Sequence, residues 1–188
     1  WARSGVLVTQ DVTPPPAGYS AQVWKLTNNV VGARGRLARA LIPMVAGRTY
    51  CYSIVMKFGA ERNLMSLASQ NFNTFGVTFD IQLGVITSPA TNGSVASVID
   101  LGDGFYRVSL QFTAHTTVNS QLNLDFGGQD ASSTTTMHQF ITAFQFEEVP
   151  ALGITPTPSP YQKITNFTDE FMAQFPSHTL FQTSTGSI

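Results

Sequence analysis

The feature that most constrains the fold of this chain is a stretch of strict alternation between apolar and polar residues. Within residues 105–113, alternate positions are Tyr106, Val108, Leu110 and Phe112. The positions between them are Arg107, Ser109, Gln111 and Thr113. Successive side chains of a β-strand point to opposite faces, so the pattern predicts a strand with one face in the core and one in water. Such strands are typical of antiparallel sheets, because parallel sheets are covered on both faces.

Further segments have the composition of strands and are separated by turn residues. The predicted strands cover residues 6–9, 21–27, 49–57, 77–83, 95–100, 105–114, 121–126 and 139–148. Clusters of Gly and Pro lie between several of them. The strand over 49–57 is predicted to present one set of side chains on a single face: Tyr50, Tyr52, Ile54 and Met56. The strand over 139–148 is predicted to do the same with Phe140, Thr142, Phe144 and Phe146. Charged residues make up only 11% of the chain, against roughly 25% in soluble proteins, so helix-forming Lys and Glu are scarce. We predict an all-β, two-sheet antiparallel sandwich.

The composition of the sequence changes after residue 148. Residues 155–160 read TPTPSP, which favours an extended, polyproline-like segment because Pro lacks the amide donor of a central strand. Beyond it, apolar residues from Ile164 to Phe175 recur near helical spacing, with Thr168 placed as an N-cap. We therefore predict one sandwich domain over residues 1–161. A C-terminal extension over 162–188 would hold one short helix and contact another subunit or module.

Composition and charge exclude several classes of function. With a net charge of −1, the chain has no excess of basic residues to bind the phosphates of nucleic acid. No apolar stretch approaches the roughly 20 residues of a membrane-spanning helix, so we expect a soluble chain with no membrane insertion. Cys51 is the single cysteine, which excludes an internal disulfide and fits folding in a reducing cytosol. No paired-carboxylate, nucleophile–base or metal-ligand pattern stands out, so we expect no enzyme.

Residues 100–114 read DLGDGFYRVSLQFTA. This stretch resembles the pattern D-x-G-[DN]-G-[WF]-[YW]-R-x-S-x-x-[FV]-T-A of a family of domains from bacteriophage tail fibres and head spikes that is related to carbohydrate-binding modules. Three further stretches resemble the same family, in the order in which the family has them. Residues 1–9, WARSGVLVT, are similar to its opening strand, and residues 47–57, GRTYCYSIVMK, to its G-x-x-Y-x-x-S-x-x-x-K strand. Residues 143–147, AFQFE, followed by Tyr161, resemble its closing segment, although Ala143 stands where Gly is frequent.

This resemblance implies a jelly-roll domain of a virion protein, made in the host cytoplasm and exposed to host surface glycans. The implied function is host attachment through a cell-surface carbohydrate or lipopolysaccharide. Fibres of this kind are commonly trimeric, so a homo-oligomer and contacts with other virion proteins are expected. Two alternatives stay open because fold alone does not fix function. The domain would be a structural spacer, adaptor or capsid decoration, or an accessory binding module of a glycoside-active enzyme.

Candidate carbohydrate-binding residues follow from sugar chemistry. A pyranose ring packs its C–H groups on an aromatic face, while its hydroxyls seek Asn, Gln and Asp. The aromatic candidates are Trp24, Tyr50 and Tyr52, with Tyr19 and Phe75 as further ones, against the interpretation that these rings form the core. Arg107 and Gln145 are the polar candidates. For Arg107 the competing interpretation is an ion pair with Glu147 across neighbouring strands.

Two charged clusters have alternative roles. Asp100 and Asp103 lie in a Gly-rich turn that requires positive φ angles. They would supply oxygen ligands to Ca²⁺, as in related carbohydrate-binding modules, or accept backbone amide hydrogen bonds within the turn. No other cofactor is expected. A second cluster, Arg34, Arg36 and Arg39, would meet acidic glycans or phosphorylated lipopolysaccharide, or lie in a solvated loop.

Overall fold

A computed structural model describes residues 2–19, 22–31, 35–61, 63–70, 75–126 and 137–149. Several features of the sequence analysis lie outside these residues: Arg34, the proline-rich segment, and the whole predicted extension 162–188 with its helix from Ile164 to Phe175.

The described residues form twelve β-strands and no helix. The strands are β1 (Ala2–Ser4), β2 (Val6–Gln10), β3 (Trp24–Asn28), β4 (Gly35–Met44), β5 (Thr49–Ala60), β6 (Leu64–Gln70), β7 (Phe75–Asp80), β8 (Val85–Ser88), β9 (Val95–Asp100), β10 (Phe105–Thr113), β11 (Val118–Phe126) and β12 (His138–Val149). Each predicted strand overlaps one of these. The sequence prediction missed β1, β4, β6 and β8.

The strands form two six-stranded antiparallel sheets. Sheet 1 has the order β1-β4-β11-β6-β7-β8, and sheet 2 has the order β2-β3-β12-β5-β10-β9. The pairs β3·β12, β4·β11, β5·β10 and β6·β7 are nested along the chain. A long hairpin rolled so that nested pairs fall alternately in two sheets is a jelly roll. The predicted two-sheet antiparallel jelly-roll sandwich is confirmed.

The core lies between the two sheets and holds the large side chains that the alternation predicted. Val108, Leu110 and Phe112 of β10 are buried in it, and Tyr106 packs against it at one end. The inner face of β5 contributes the four predicted side chains Tyr50, Tyr52, Ile54 and Met56. The ring of Phe75, from sheet 1, stacks on that of Phe112, from sheet 2, with centroids 4.7 Å apart. Burial of these faces is the main driving force for closing the sandwich.

The outer face of sheet 2 differs from the wet face that the alternation of β10 predicted. Arg107, Ser109 and Gln111 point outward but are buried, with at most 6% of each residue exposed. A second apolar cluster on this face, formed by Val23, Val55, Phe105 and Ala143, explains part of the burial. The segment before β3 crosses this face: Tyr19 packs against the cluster, and Thr142 Oγ1 donates a hydrogen bond to the backbone oxygen of Gln22.

A β-bulge in β12 corrects the predicted face of its aromatic residues. Thr142 pairs with Val55, but the next paired residue is Gln145, opposite Ser53, so β12 carries one extra residue. An extra residue reverses the direction of the side chains that follow it. Phe140 and Thr142 therefore lie on the outer face, whereas Phe144 and Phe146 face the core. Ala143, inside the bulge, has a φ of 52°.

Exchanging Ala143 should change stability in opposite directions for two substitutions. Left-handed backbone costs an L-residue about 1–2 kcal/mol, whereas Gly adopts it freely and loses about 0.5–1 kcal/mol of entropy. We expect Ala143→Gly to raise the free energy of unfolding by about 0.5 kcal/mol. Ala143→Val, a β-branched residue with positive φ, should lower it by about 1–3 kcal/mol. Urea unfolding followed by tryptophan fluorescence measures both changes, and a Val variant as stable as the parent would contradict this bulge.

Candidate functional site

Four of the five aromatic residues predicted to stack on sugar lie inside the sandwich, whereas Tyr19 is half-buried on the outer face of sheet 2. Trp24, Tyr50 and Tyr52 are core residues with 4%, 5% and 1% of their surface exposed. The ring of Tyr50 stacks on that of Phe146 at 5.3 Å between centroids, and burial raises the pKa of Tyr52 well above its usual range. Phe75 is also a core residue. Because core neighbours occupy their faces, these rings do not form a sugar platform; the interpretation that they form the core describes them correctly.

Arg107 and Gln145, the two predicted polar site residues, are brought together on the outer face of sheet 2. Arg107 Nη2 donates hydrogen bonds to Gln145 Oε1 at 2.7 Å and to Ser53 Oγ at 3.2 Å. Gln145 Nε2 donates in turn to Glu147 Oε1 at 3.0 Å. Gln145 therefore links the guanidinium of Arg107 to the carboxylate of Glu147. Arg107 and Gln145 are both buried, so in this structure they offer a glycan almost no accessible surface.

Cys51 of β5 is the register partner of Glu147 of β12 and belongs to this buried polar region. Burial, reinforced by the negative charge of Glu147 and opposed by Arg107, raises the pKa of Cys51 to about 12. The thiol is free and stays protonated at neutral pH. A protonated, buried thiol is a poor nucleophile, so this cluster does not provide an activated cysteine.

The Gly-rich turn between β9 and β10 holds Asp100 and Asp103 at the surface. Positive φ values at Gly102, Asp103 and Gly104 confirm the predicted backbone of this turn. Asp100 Oδ1 accepts a hydrogen bond from the amide of Gly102 at 2.8 Å, which is the role of a turn aspartate. Among the described residues, no group of three or more His, Cys, Asp or Glu is arranged to hold a metal ion. Calcium at this turn stays a prediction.

Two of the three arginines of the predicted cluster lie in a strand and not in a loop, and the third, Arg34, lies outside the described residues. Arg36 and Arg39 lie in β4. Arg36 donates from Nε and Nη2 to the two carboxylate oxygens of Asp125, at 2.5 and 2.9 Å. This hydrogen bonding raises the pKa of Arg36. A bidentate pair of this kind uses the planar fork that would otherwise bind an acidic group.

Sequence reasoning missed the outer face of sheet 1, which is made of small and polar side chains in two adjacent rows. Several of these side chains are buried, among them Ser66, Asn123 and Asp125. One row across the strands is Ser4, Arg36, Asp125, Ser66, Thr78 and Ser88. The next row is Ala2, Ala38, Asn123, Ala68 and Gly76. Neighbouring strands are about 4.8 Å apart, so members of a row lie side by side. The signal available in the sequence was the alternation of small residues in β6 and β7.

A groove of about 230 Å³ opens where these rows meet β7 and β8. We call it the sheet-1 groove; its lining includes Ser66, Ala68, Gly76, Thr78, Ser88 and Thr91. Ser66 Oγ and Thr78 Oγ1 share a hydrogen bond of 2.9 Å, and the amide of Gly76 donates to Thr91 Oγ1 at 3.0 Å. The small residues Ala68 and Gly76 leave the space, and the hydroxyl groups supply hydrogen-bonding capacity. None of the described residues that line the groove carries a charge.

Asn123 supplies an unpaired hydrogen-bond donor one strand from this groove. Its side chain is fully buried, and its register partner on β6 is Ala68, which lines the groove. Asn123 Oδ1 accepts a hydrogen bond from Gln121 Nε2 at 2.6 Å. Asn123 Nδ2 has no hydrogen-bond partner. A buried donor left unpaired costs about 1–3 kcal/mol.

The sandwich is similar to part of a solved phage structure. That structure is the enzymatically active domain of tailspike protein 4 from bacteriophage CBA120, with a TM-score of 0.50 and 15% sequence identity. The similarity covers 79% of this chain but only 19% of the tailspike chain. At this identity the likeness concerns the fold.

No protein-family model matches the chain, and no curated protein matches its sequence. Within the described ranges there is also no helix long and apolar enough to cross a membrane.

Proposed function

We propose that this chain is a tail-associated domain of a bacteriophage virion that helps attach the particle to its host by binding a cell-surface carbohydrate. The observation that carries the binding proposal is the sheet-1 groove, a recess in sheet 1 whose lining includes residues with hydroxyl groups. Ligand sites are concave and place a few polar groups for orientation. The phage setting is supported by the resemblance of residues 100–114 to fibre and spike domains and by the fold shared with a tailspike domain.

The geometry of the groove suits binding better than catalysis. A glycosidase needs two carboxyl groups placed on either side of the scissile bond. None of the described residues that line the groove is a carboxylate, and the adjacent Asp125 is held by Arg36. We therefore propose a binding domain without catalytic activity of its own. Among the lining residues with hydroxyl groups, Ser88 and Thr91 are exposed, whereas Ser66 is buried and bonded to Thr78. Hydrogen bonds to so few accessible hydroxyls are weak, so attachment would depend on several linked copies, such as a homotrimer assembled with other virion proteins.

Staining of bacterial cells tests this proposal. The 188-residue chain is biotinylated, multimerised on fluorescent streptavidin and applied to a broad panel of bacterial strains. Cells treated with mild periodate, which cleaves vicinal diols of sugars, are compared with cells treated with protease. We expect staining of some strains that periodate abolishes and protease leaves intact. Staining removed by protease alone would indicate a protein receptor, and complete absence of staining by the folded chain would favour a structural spacer, adaptor or decoration.

An accessory module is the second candidate function. It is favoured by the comparison, because the similar structure is described as an enzymatically active domain and this chain matches only 19% of it. In that case the groove would hold a polysaccharide near a catalytic centre elsewhere in a larger protein. The sequence of the full parent gene distinguishes the two, since an accessory module requires an adjoining catalytic domain.

A further inference from the structure

We infer that the sheet-1 groove takes an uncharged sugar residue and selects against acidic glycans; this inference rests on the proposed function and names the ligand class of its site. Ser88 and Thr91 offer exposed hydroxyl groups to the groove, and none of the described residues in its lining is charged. Hydroxyl groups both donate and accept hydrogen bonds, so they match the hydroxyls of a neutral sugar without requiring a counter-charge. Phe75 is the aromatic residue among the described lining, and its ring is buried in the core and does not lie open to the groove.

The charges beside the groove argue against an anionic ligand. Asp125 is the register partner of Ser66, which lines the groove, so a carboxylate lies on the same face one strand away. Arg36 compensates this charge with two hydrogen bonds, so its guanidinium is occupied by Asp125 and is not available to bind an anionic ligand. A uronic acid or a phosphorylated sugar would bring a second anion close to Asp125 and would find no cation in the groove lining. Bringing an uncompensated charge out of water is unfavourable.

The unpaired amide of Asn123 marks a position on this face where a ligand oxygen would find a free hydrogen-bond donor. Because Asn123 Oδ1 faces Gln121, the N–H groups of Nδ2 point to the other side of the amide group. Asn123 lies directly beside Ala68, whose small side chain separates the amide from the groove. A sugar oxygen would satisfy the donor that the free protein leaves unpaired.

Gly76 offers a way to fill the groove without distorting the sheet. A Cβ added at Gly76 would lie 3.6 Å from the backbone oxygen of Leu67 and 3.7 Å from Ala68 Cβ, which are ordinary contacts. Gly76→Val should therefore fold and occupy the space of the sugar. Ser88→Gln, at an exposed position of β8, provides an independent obstruction at the rim. Thr27→Val is the matched control, because Thr27 lies on the other sheet, in β3.

The experiment is an array of neutral and acidic bacterial polysaccharides probed with the multimerised full chain and these three variants. We expect binding to neutral polysaccharides that added salt does not weaken, since no charge pair is involved. Gly76→Val and Ser88→Gln should each weaken it at least about tenfold, whereas Thr27→Val should bind as the parent does. Unfolding curves of every variant establish that it is folded.

The outcomes separate this inference from the proposed function. Preference for acidic polysaccharides, or binding of neutral ones that both groove variants retain, would overturn the inference while leaving carbohydrate attachment in place. Absence of binding to every polysaccharide by the folded parent chain would overturn the proposed function together with the inference. Neutral binding that is lost in both groove variants and kept in Thr27→Val would support them both.

Discussion

Gly59→Ala is expected to lower the free energy of unfolding by about 3 kcal/mol, the upper range for overpacking a well-packed site. A Cβ at Gly59 would lie 2.4 Å from the backbone oxygen of His138 and 2.5 Å from its Cδ2. The register explains this closeness: His138 pairs with Ala60 and Gln139 with Phe58, so Gly59 is an extra residue between two successive pairs. The strand cannot relax easily, because β5 lies between β12 and β10.

The amide of Gly59 makes the position still less tolerant. It donates a hydrogen bond to Gln139 Oε1 at 2.9 Å, and Gln139 is fully buried. Moving β5 away from β12 to admit a methyl group would also break this bond. Urea unfolding measures the loss, and Gly76→Ala is the matched control in a strand. There the added Cβ meets only ordinary contacts, so reduced chain entropy in the unfolded state should stabilise the protein by about 0.4–1 kcal/mol. Equal stability of the two alanine variants would contradict the described pairing of β5 with β12.

The strands that were predictable from sequence are those whose own residues have the composition and the alternation typical of a strand. In β5, β9 and β10, β-branched and aromatic residues alternate or cluster, and the predicted bounds agree with the structure within a few residues. Two of the missed strands, β4 and β6, lack this signal. β4 begins with Gly, includes Arg36, Arg39 and Pro43, and is held by its pairing with β11. β6 has no β-branched or aromatic residue and lies between β7 and β11, of which β11 is distant in sequence.

Side-chain direction was predictable only up to the first irregularity of a strand. A period of two assigns faces correctly along β10, where the pairing with β5 is regular from Phe105 to Thr113. In β12 the bulge at Ala143 reverses the assignment, and nothing in a pattern of alternate residues marks an inserted one. The single hint was the resemblance to a motif in which Gly is frequent at that position. The φ of 52° gives a physical reason for Gly there.

The candidate site was less predictable than the fold. Aromatic residues were sought as a sugar platform, but a sandwich needs large side chains between its sheets, and Trp24, Tyr50 and Tyr52 serve there. A sequence shows that a residue is large and apolar without showing which sheet will cover it. The sheet-1 groove has the opposite character, because it exists where Ala68 and Gly76 are small. Its lining comes from β6, β7, β8 and the turn at Thr91, which only the fold brings together.

Arg107→Ala is expected to destabilise the protein by about 3 kcal/mol, since removing one member of a buried, hydrogen-bonded charged network leaves its partners unsatisfied. The guanidinium is buried and donates to both Gln145 and Ser53 from one nitrogen. Without it, Gln145 Oε1 loses a donor in a region where little water can replace it. Arg107→Lys should recover only part of the loss, because an ammonium group cannot reproduce the planar fork.

Measuring stability and glycan binding on the same variant separates the two roles considered for Arg107. A side chain that holds sheet 2 together should lower the free energy of unfolding, while the fraction that is still folded binds glycan with unchanged affinity. A side chain that contacts ligand should lower affinity with little effect on unfolding. Arg48→Ala is the control for a general effect of losing a cation, because Arg48 pairs with Glu148 at the surface, where both side chains are about half exposed. The buried network around Arg107 leads us to expect the first outcome, and intact stability with lost binding would assign Arg107 to the ligand site instead.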